Sequence, residues 1–172
     1  MKYILAQDES NYSAWQITLA VQSILDTGVN SVDIYVILGT YGLNKRFKAI
    51  ERRFKGVNFI RYRNHSPRNY LPAIKPYLLW KFFEQFDYLV KEQWFLMDCD
   101  VILTDRIEEQ PKGTIYASDC KSYIGYEYLE TKGTIYASIM ANICKIDVQT
   151  IIDNDNGAGG AQFIFDNVGH ET

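Results

Sequence analysis

Two carboxylates, Asp98 and Asp100, stand one residue apart and interrupt an otherwise apolar run, Trp94-Phe95-Leu96-Met97-Asp98-Cys99-Asp100-Val101-Ile102-Leu103. In a strand, residues i and i+2 share a face, so a strand over Trp94 to Leu103 sets the two charges side by side. Burying like charges together is costly unless a cation neutralises them. Mg²⁺ or Mn²⁺ suits such a place, because these ions take one or two carboxylates and complete their shell with substrate phosphates. The plain alternative is a strand end at which Asp98 and Asp100 cap turns and face water. Position favours the metal, since ligands of alternating α/β chains collect at the carboxyl ends of the strands.

Other side chains could join that chemistry. Asp119 also follows an apolar stretch and is a candidate catalytic carboxylate or a group that orients substrate hydroxyls, with a turn-forming aspartate as the equal alternative. Lys75 and Lys81 precede the carboxylate pair and could offset charge on a departing phosphate, although solvated lysines are the ordinary case. Gly157-Ala158-Gly159-Gly160-Ala161-Gln162 is no dinucleotide fingerprint, because Gln162 replaces the third glycine, and by itself it reads as a flexible turn. The three cysteines, Cys99, Cys120 and Cys144, have no CxxC spacing and are odd in number, which predicts reduced thiols. His65 and His170 are the only histidines, so a metal here would use oxygen ligands; His170 is a further candidate ligand, a mobile terminal side chain being the usual reading.

The elements that must position these residues alternate. Tyr3 to Ala6 predicts a buried first strand, and Tyr12 to Asp26 a helix with apolar residues at helical spacing, stopped by Gly28. Val32 to Leu38 is β-branched and almost continuously apolar, the pattern of a parallel strand covered on both faces. A basic helix over Asn44 to Lys55 follows, with Phe47, Ile50 and Phe54 along one side, then a strand over Val57 to Tyr62. An aromatic-rich helix over Pro72 to Phe86 leads into the carboxylate strand. Beyond it, strands are expected at Thr114 to Ser118 and Gly157 to Phe165, and a helix at Thr134 to Cys144. The βαβαβ order predicts a doubly wound α/β sheet. Lys112 to Ser118 and Lys132 to Ser138 both read KGTIYAS, but two copies with unrelated flanks are a coincidence or a local duplication rather than a solenoid.

Size and charge bound the partners. A chain of 172 residues, 47% hydrophobic, has apolar material for one core, so one domain spanning 1–172 is expected. A net charge of -3 gives no whole-protein attraction to nucleic acid or to an anionic membrane, and any polyanion needs a local site. The basic helix carrying Lys45, Arg46, Lys48, Arg52, Arg53 and Lys55 could meet an anionic surface, a solvated face being the commoner explanation. No leader is visible, and no run approaches the roughly 20 apolar residues of a membrane span. The expected location is therefore the cytoplasm. The strand-like stretch near the end, with no helix after it, is consistent with a missing C-terminal part.

Three stretches resemble the GT-A glycosyltransferases, and more narrowly a group of uncharacterised phage and bacterial proteins of that type: Pro72 to Lys81 (PAIKPYLLWK), Ser118 to Tyr126 (SDCKSYIGY) and Gly159 to Gln162 (GGAQ). The resemblance implies a Rossmann-like GT-A fold with a mostly parallel central sheet flanked by helices, in which the two carboxylates hold Mn²⁺ or Mg²⁺ against the diphosphate of a nucleotide sugar. Asp98 would then lie toward the ribose and sugar, and Asp100 would bind the metal more directly. Asp8-Glu9-Ser10-Asn11-Tyr12 is similar to the first-strand loop of family 8-like transferases, which implies hydrogen bonding of base or ribose by Asp8 and contact of Tyr12 with the base; an N-cap for the first helix is the structural alternative. Gly160, Ala161 and Gln162 would approach the donor sugar, and Lys75 its phosphates.

The function expected is a metal-dependent transfer of sugar from a nucleotide diphosphate donor to a hydroxyl of a glycan or other acceptor, with Asp119 as base if the transfer inverts. Two other classes stay open: a catalytically inactive GT-A-like binding or structural protein, and a metal-dependent nucleotidyltransferase or phosphohydrolase.

Overall fold

The computed structural model describes residues 1–42, 44–64, 73–133 and 135–167, which leaves His65, Pro72, Thr134 and His170 outside the described residues. The elements in chain order are β1 (Lys2–Asp8), α1 (Asn11–Asp26), β2 (Ile34–Thr40), α2 (Lys45–Arg53), β3 (Asn58–Arg63), α3 (Ile74–Gln85), β4 (Trp94–Leu96), β5 (Tyr116–Asp119), α4 (Lys121–Ile124), α5 (Tyr126–Lys132), α6 (Ile135–Cys144), α7 (Val148–Asp153) and β6 (Gly159–Phe165). The class is α/β, with a six-stranded sheet ordered β3-β2-β1-β4-β6-β5 and flanked by helices. β1 runs parallel to β2 and β4, and β2 parallel to β3. The sheet as a whole is mixed, which corrects the expectation of a mostly parallel one. Helical crossovers α1, α2 and α3 hold the strands parallel as far as β4, whereas Met97 to Ile115 contains no helix to continue that pattern.

The chain divides into two compact units, Met1–Ile115 with Ile164–Thr172, and Tyr116–Phe163. In the first unit, strand alternation sorts the core into two layers. Tyr3 and Leu5 of β1, Val36 and Leu38 of β2 and Phe95 of β4 pack with Ile17, Val21 and Ile24 of α1 and Phe47 of α2. The opposite parity meets α3: Trp94 lies 5.4 Å from Phe82 and 5.6 Å from Phe83, ring centre to ring centre, and Tyr35 lies 5.1 Å from Trp94. Gly39 of β2 is part of this second layer, and a Cβ there would stand 2.5 Å from Ile74 Cδ1, so the missing side chain lets the start of α3 come down onto the strand. α1 starts at Ser10, whose hydroxyl accepts from Ser13 N, and α2 starts at Asn44, whose side chain accepts from Arg46 N.

The second unit joins β5, four short helices and most of β6. Asp155 ties it together by accepting from Tyr126 N at the start of α5 and pairing with Lys121 Nζ of α4 at 3.0 Å. The backbone hydrogen bond from Tyr126, then that from Lys121, holds its carboxyl below the usual range. Among the described residues no helix is long and apolar enough to cross a membrane.

Candidate functional site

β1 ends at Asp8, and its parity matches that of Ile4 and Ala6, on the side of the sheet that faces α3. The strands on either side of β1 depart in opposite directions along the sheet, β2 and β3 one way and β4 the other, so the gap between β1 and β4 is the switch point of the parallel part. The carboxyl ends of these two strands carry the site.

Asp8 is held by neutral donors. Ser13 Oγ donates to Asp8 Oδ1, and Ser10 Oγ lies 3.2 Å from the same oxygen and 2.8 Å from Ser13 Oγ. The serine that caps α1 thus also fixes the last carboxylate of β1, so the two expected roles coincide here, shared between Asp8 as acceptor and Ser10 as cap. The next residue, Glu9, is turned away into the fold, where it accepts from Arg61 of β3 at 3.0 Å, and its backbone N donates to Gly39 O at 2.9 Å. Arg61 also pairs with Glu51 of α2. This cluster pins the β1–α1 corner to β2, β3 and α2. Tyr12, in the first turn of α1, is 68% exposed and stands edge-on to Trp15 at 6.0 Å.

Asp98 and Asp100 are not in a strand. β4 stops at Leu96, Met97 N still donates to Ile4 O at 3.1 Å, and Val101 N closes a turn onto Asp98 O at 3.3 Å. The expected strand over Trp94 to Leu103 is corrected to three residues followed by this turn, so the sharing of a strand face cannot be what relates the two carboxylates. Parity nonetheless persists through the turn: Met97 and Cys99 enter the core on the α1 side, while Asp98 stays partly accessible and Asp100 exposed. Burial pushes the Cys99 thiol up to about 12, so it packs as a small apolar group.

Lys75, the second residue of α3, forms an ion pair with Asp98. Burial lowers the Lys75 ammonium from the ordinary lysine range, with Cys99 and Asp100 opposing that shift. The Asp98 carboxylate in direct contact favours the charged form, which is the state the pair implies. Lys81 is elsewhere, bound to Glu84 at 2.6 Å and 4.0 Å above the Trp80 ring. Six residues are about 1.7 helical turns, so Lys75 and Lys81 cannot share a face of α3. Asp8, Ser10, Tyr12, Ser13, Ile74 and Lys75 line a cleft of ≈ 660 Å³.

For a divalent ion, Asp98 and Asp100 offer the oxygen chemistry of Mg²⁺ or Mn²⁺ from a single turn. Among the described residues no group of three or more His, Cys, Asp or Glu side chains could hold a metal, so an ion on this pair would have to complete its shell with water or ligand phosphates. The pair fits in that restricted sense.

The remaining predicted residues belong to the second unit. Asp119 Oδ1 accepts from Lys121 N at 2.9 Å and so starts α4, the turn role expected as its alternative. Gly160 O accepts from Ser118 Oγ, and Gln162 N lies 3.4 Å from that hydroxyl. Gly159 is needed for packing, since a Cβ there would lie 2.5 Å from Ala117 Cβ of β5. Ala161 has φ 59°, a left-handed conformation inside β6 that costs about 1–2 kcal/mol and marks a local kink.

Ser10, Ser13 and the Glu9–Arg61 pair were not foreseen as parts of the site. The serines carried a signal, an N-cap pattern immediately after a strand-ending aspartate; Arg61 carried none, being 52 residues from Glu9. No protein-family model matches the chain, and no curated protein matches it either.

Proposed function

We propose that this chain is a metal-dependent glycosyltransferase of the GT-A type, which moves a sugar from a nucleotide diphosphate donor to a hydroxyl of a glycan or other acceptor. The observation behind the reading is the cleft at the switch point: Asp8 and Asp98 at the carboxyl ends of neighbouring parallel strands, with Tyr12 on one side and Lys75 joining the cleft to Asp98.

On this reading Tyr12 contacts the base and Asp8, already oriented by two serine hydroxyls, accepts hydrogen bonds from the nucleoside. Lys75 exchanges its partner: as a diphosphate arrives, the ammonium passes from Asp98 to a phosphate oxygen, leaving Asp98 free for the ribose, the sugar or an ion. Asp98 and Asp100 are the residues that would hold Mn²⁺ or Mg²⁺, which when bound supplies positive charge to the departing diphosphate. Asp119 is the candidate base for the acceptor proton if the transfer inverts, and Gly160, Ala161 and Gln162 are the candidate contacts to the sugar.

One observation favours a second reading, nucleotide-sugar binding without turnover: the charge of Asp98 is already matched by Lys75, so no cation is required for the pair to be stable. Thermal unfolding with a panel of nucleotide sugars, with and without Mn²⁺, followed by an assay for released nucleoside diphosphate, separates the two. A ligand at 100 times its Kd adds about 2.7 kcal/mol, and each kcal/mol raises the midpoint by about 2–4 °C for a chain of this size. A shift that needs both one nucleotide sugar and Mn²⁺, with diphosphate release, is expected. A metal-independent shift without release selects the binding protein, and no shift with any sugar nucleotide sinks both.

A further inference from the structure

Six of the 18 Lys and Arg residues fall within residues 45–55, on and just after α2, against a single carboxylate, Glu51. Glu51 is already engaged by Arg61. Among the described residues, none of Lys45, Arg46, Lys48, Arg52, Arg53 and Lys55 pairs with an acid, and all six are exposed. α2 buries only Phe47 and Ile50, and Arg53 reaches across to α1, donating to Gln22 at 3.0 Å.

Beside this helix runs α1, whose outer face is apolar where a solvated helix would be charged. Trp15 is 52% and Leu19 48% exposed, one turn apart, and α1 has no charged residue before Asp26, which is occupied by Gln22 at 2.9 Å. Trp15, Thr18, Leu19, Arg46 and Ile50 line a shallow groove of ≈ 440 Å³ between the two helices, and among the described residues no carboxylate lines it. Cations on the helix beside exposed Trp and Leu, with Arg46 in the groove between them, form the pattern of a surface that lies in a lipid headgroup layer, with basic side chains on lipid phosphates and the apolar pair at the acyl boundary.

We propose that the outer face of α1 and α2 docks on an anionic lipid bilayer. Charge complementarity supplies the attraction, and it is local, since the chain as a whole carries a net charge of -3. Leu19 decides between lipid and the other polyanion of similar charge, single-stranded nucleic acid: an aliphatic side chain gains from an acyl boundary and has no π-face to stack on a base. The cleft at Asp8 and Lys75 takes no part, so the inference stands apart from the glycosyltransferase reading.

The test is co-sedimentation of the full chain with phosphatidylcholine vesicles and with vesicles in which phosphatidylserine is roughly a third of the lipid. Binding to the serine-containing vesicles alone, weakened by added salt, is expected. The triple variant Lys45→Gln, Lys48→Gln, Arg52→Gln should bind about a hundredfold more weakly. Trp15→Ala should lose roughly tenfold while keeping the salt dependence, because it removes apolar contact and not charge. All four positions are exposed, and circular dichroism checks that each variant is folded. No binding to the serine-containing vesicles overturns the proposal, as does binding that the triple variant leaves unchanged. Retention of poly(U) by the parent chain but not by the triple variant, with vesicles unbound, reassigns the face to nucleic acid and equally overturns it.

Discussion

Asp8 and Asp98 stand at the ends of neighbouring parallel strands, on the same side of the sheet, and are held in different ways. Asp8 is fixed by two hydroxyls from the start of α1, which orient it and leave its charge in place. Asp98 is matched by an ammonium from the start of α3, which cancels its charge. A carboxylate held by hydroxyls is a rigid acceptor. One held by a lysine is exchangeable, because the lysine can turn to a better anion and release it. On the proposed function the two carboxylates divide into a fixed point for a neutral part of a ligand and a charge relay for an anionic part, and this division can be broken by experiment.

The largest effect is expected at Lys75. Lys75→Ala removes the phosphate contact and leaves Asp98 facing the arriving diphosphate unpaired, two losses of the size of charged hydrogen bonds, and donor affinity measured by calorimetry should fall by about a hundredfold. Stability should change by only about 0–1 kcal/mol, since the side chains of Lys75 and Asp98 are 33% and 26% exposed and water screens the pair. A variant that binds donor normally but unfolds at markedly lower denaturant would make the pair a structural strut and end the exchange idea.

Next comes Asp100. It is exposed and, among the described residues, makes no hydrogen bond or ion pair, so Asp100→Ala should leave the unfolding midpoint without ligand where it was, within about 0.5 kcal/mol. The part of the donor-induced shift that depends on Mn²⁺ should disappear while the metal-independent part stays. If the Mn²⁺ increment survives in the folded variant, Asp98 and Asp100 are not the metal pair.

How much of this was legible beforehand depends on the range of the interaction. The first three strands and their crossover helices were read from runs of apolar residues with local stops, and the structure places them within a few residues of those limits. The carboxylate strand was overestimated because Val101, Ile102 and Leu103 continue the apolar run; Val101 and Leu103 do pack against the core, but without a ladder, and Leu103 N bonds to Ser23 Oγ at 3.0 Å instead. Helices α4, α5 and α7 are four, seven and six residues long, too short for a 3.6-residue period to show. The Lys75–Asp98 pair joins α3 to the turn after β4 and had no signal in either segment alone.

The repeated heptapeptide gives the same lesson in its sharpest form. In the first KGTIYAS, Tyr116 to Ser118 are strand, and Ser118 Oγ donates to Gly160 O of β6. In the second, Ile135 to Ser138 open α6, with Ala137 and Ala141 buried one turn apart. The residues that follow decide: Asp119 turns the first copy into α4, while Ile139-Met140-Ala141 prolongs the second as helix. Local sequence therefore sets the permitted structures, and the neighbours select among them.

The finest test of the Asp8–Asp98 contrast is a pair of double-mutant cycles read against salt. Ser13→Ala with Asp8→Ala measures a hydrogen bond from a neutral hydroxyl to a carboxylate, worth about 1.5–3 kcal/mol, and Lys75→Ala with Asp98→Ala measures an ion pair of about 0–1 kcal/mol. The first coupling is expected to be the larger at low ionic strength. Raising the salt to about 1 M shortens the screening length to about 3 Å, which should remove most of the Lys75–Asp98 coupling and leave the Ser13–Asp8 coupling almost unchanged. Equal salt sensitivity in the two cycles would mean that Asp8 is also balanced by a charge, and the separation into a fixed acceptor and an exchangeable one would have to be given up.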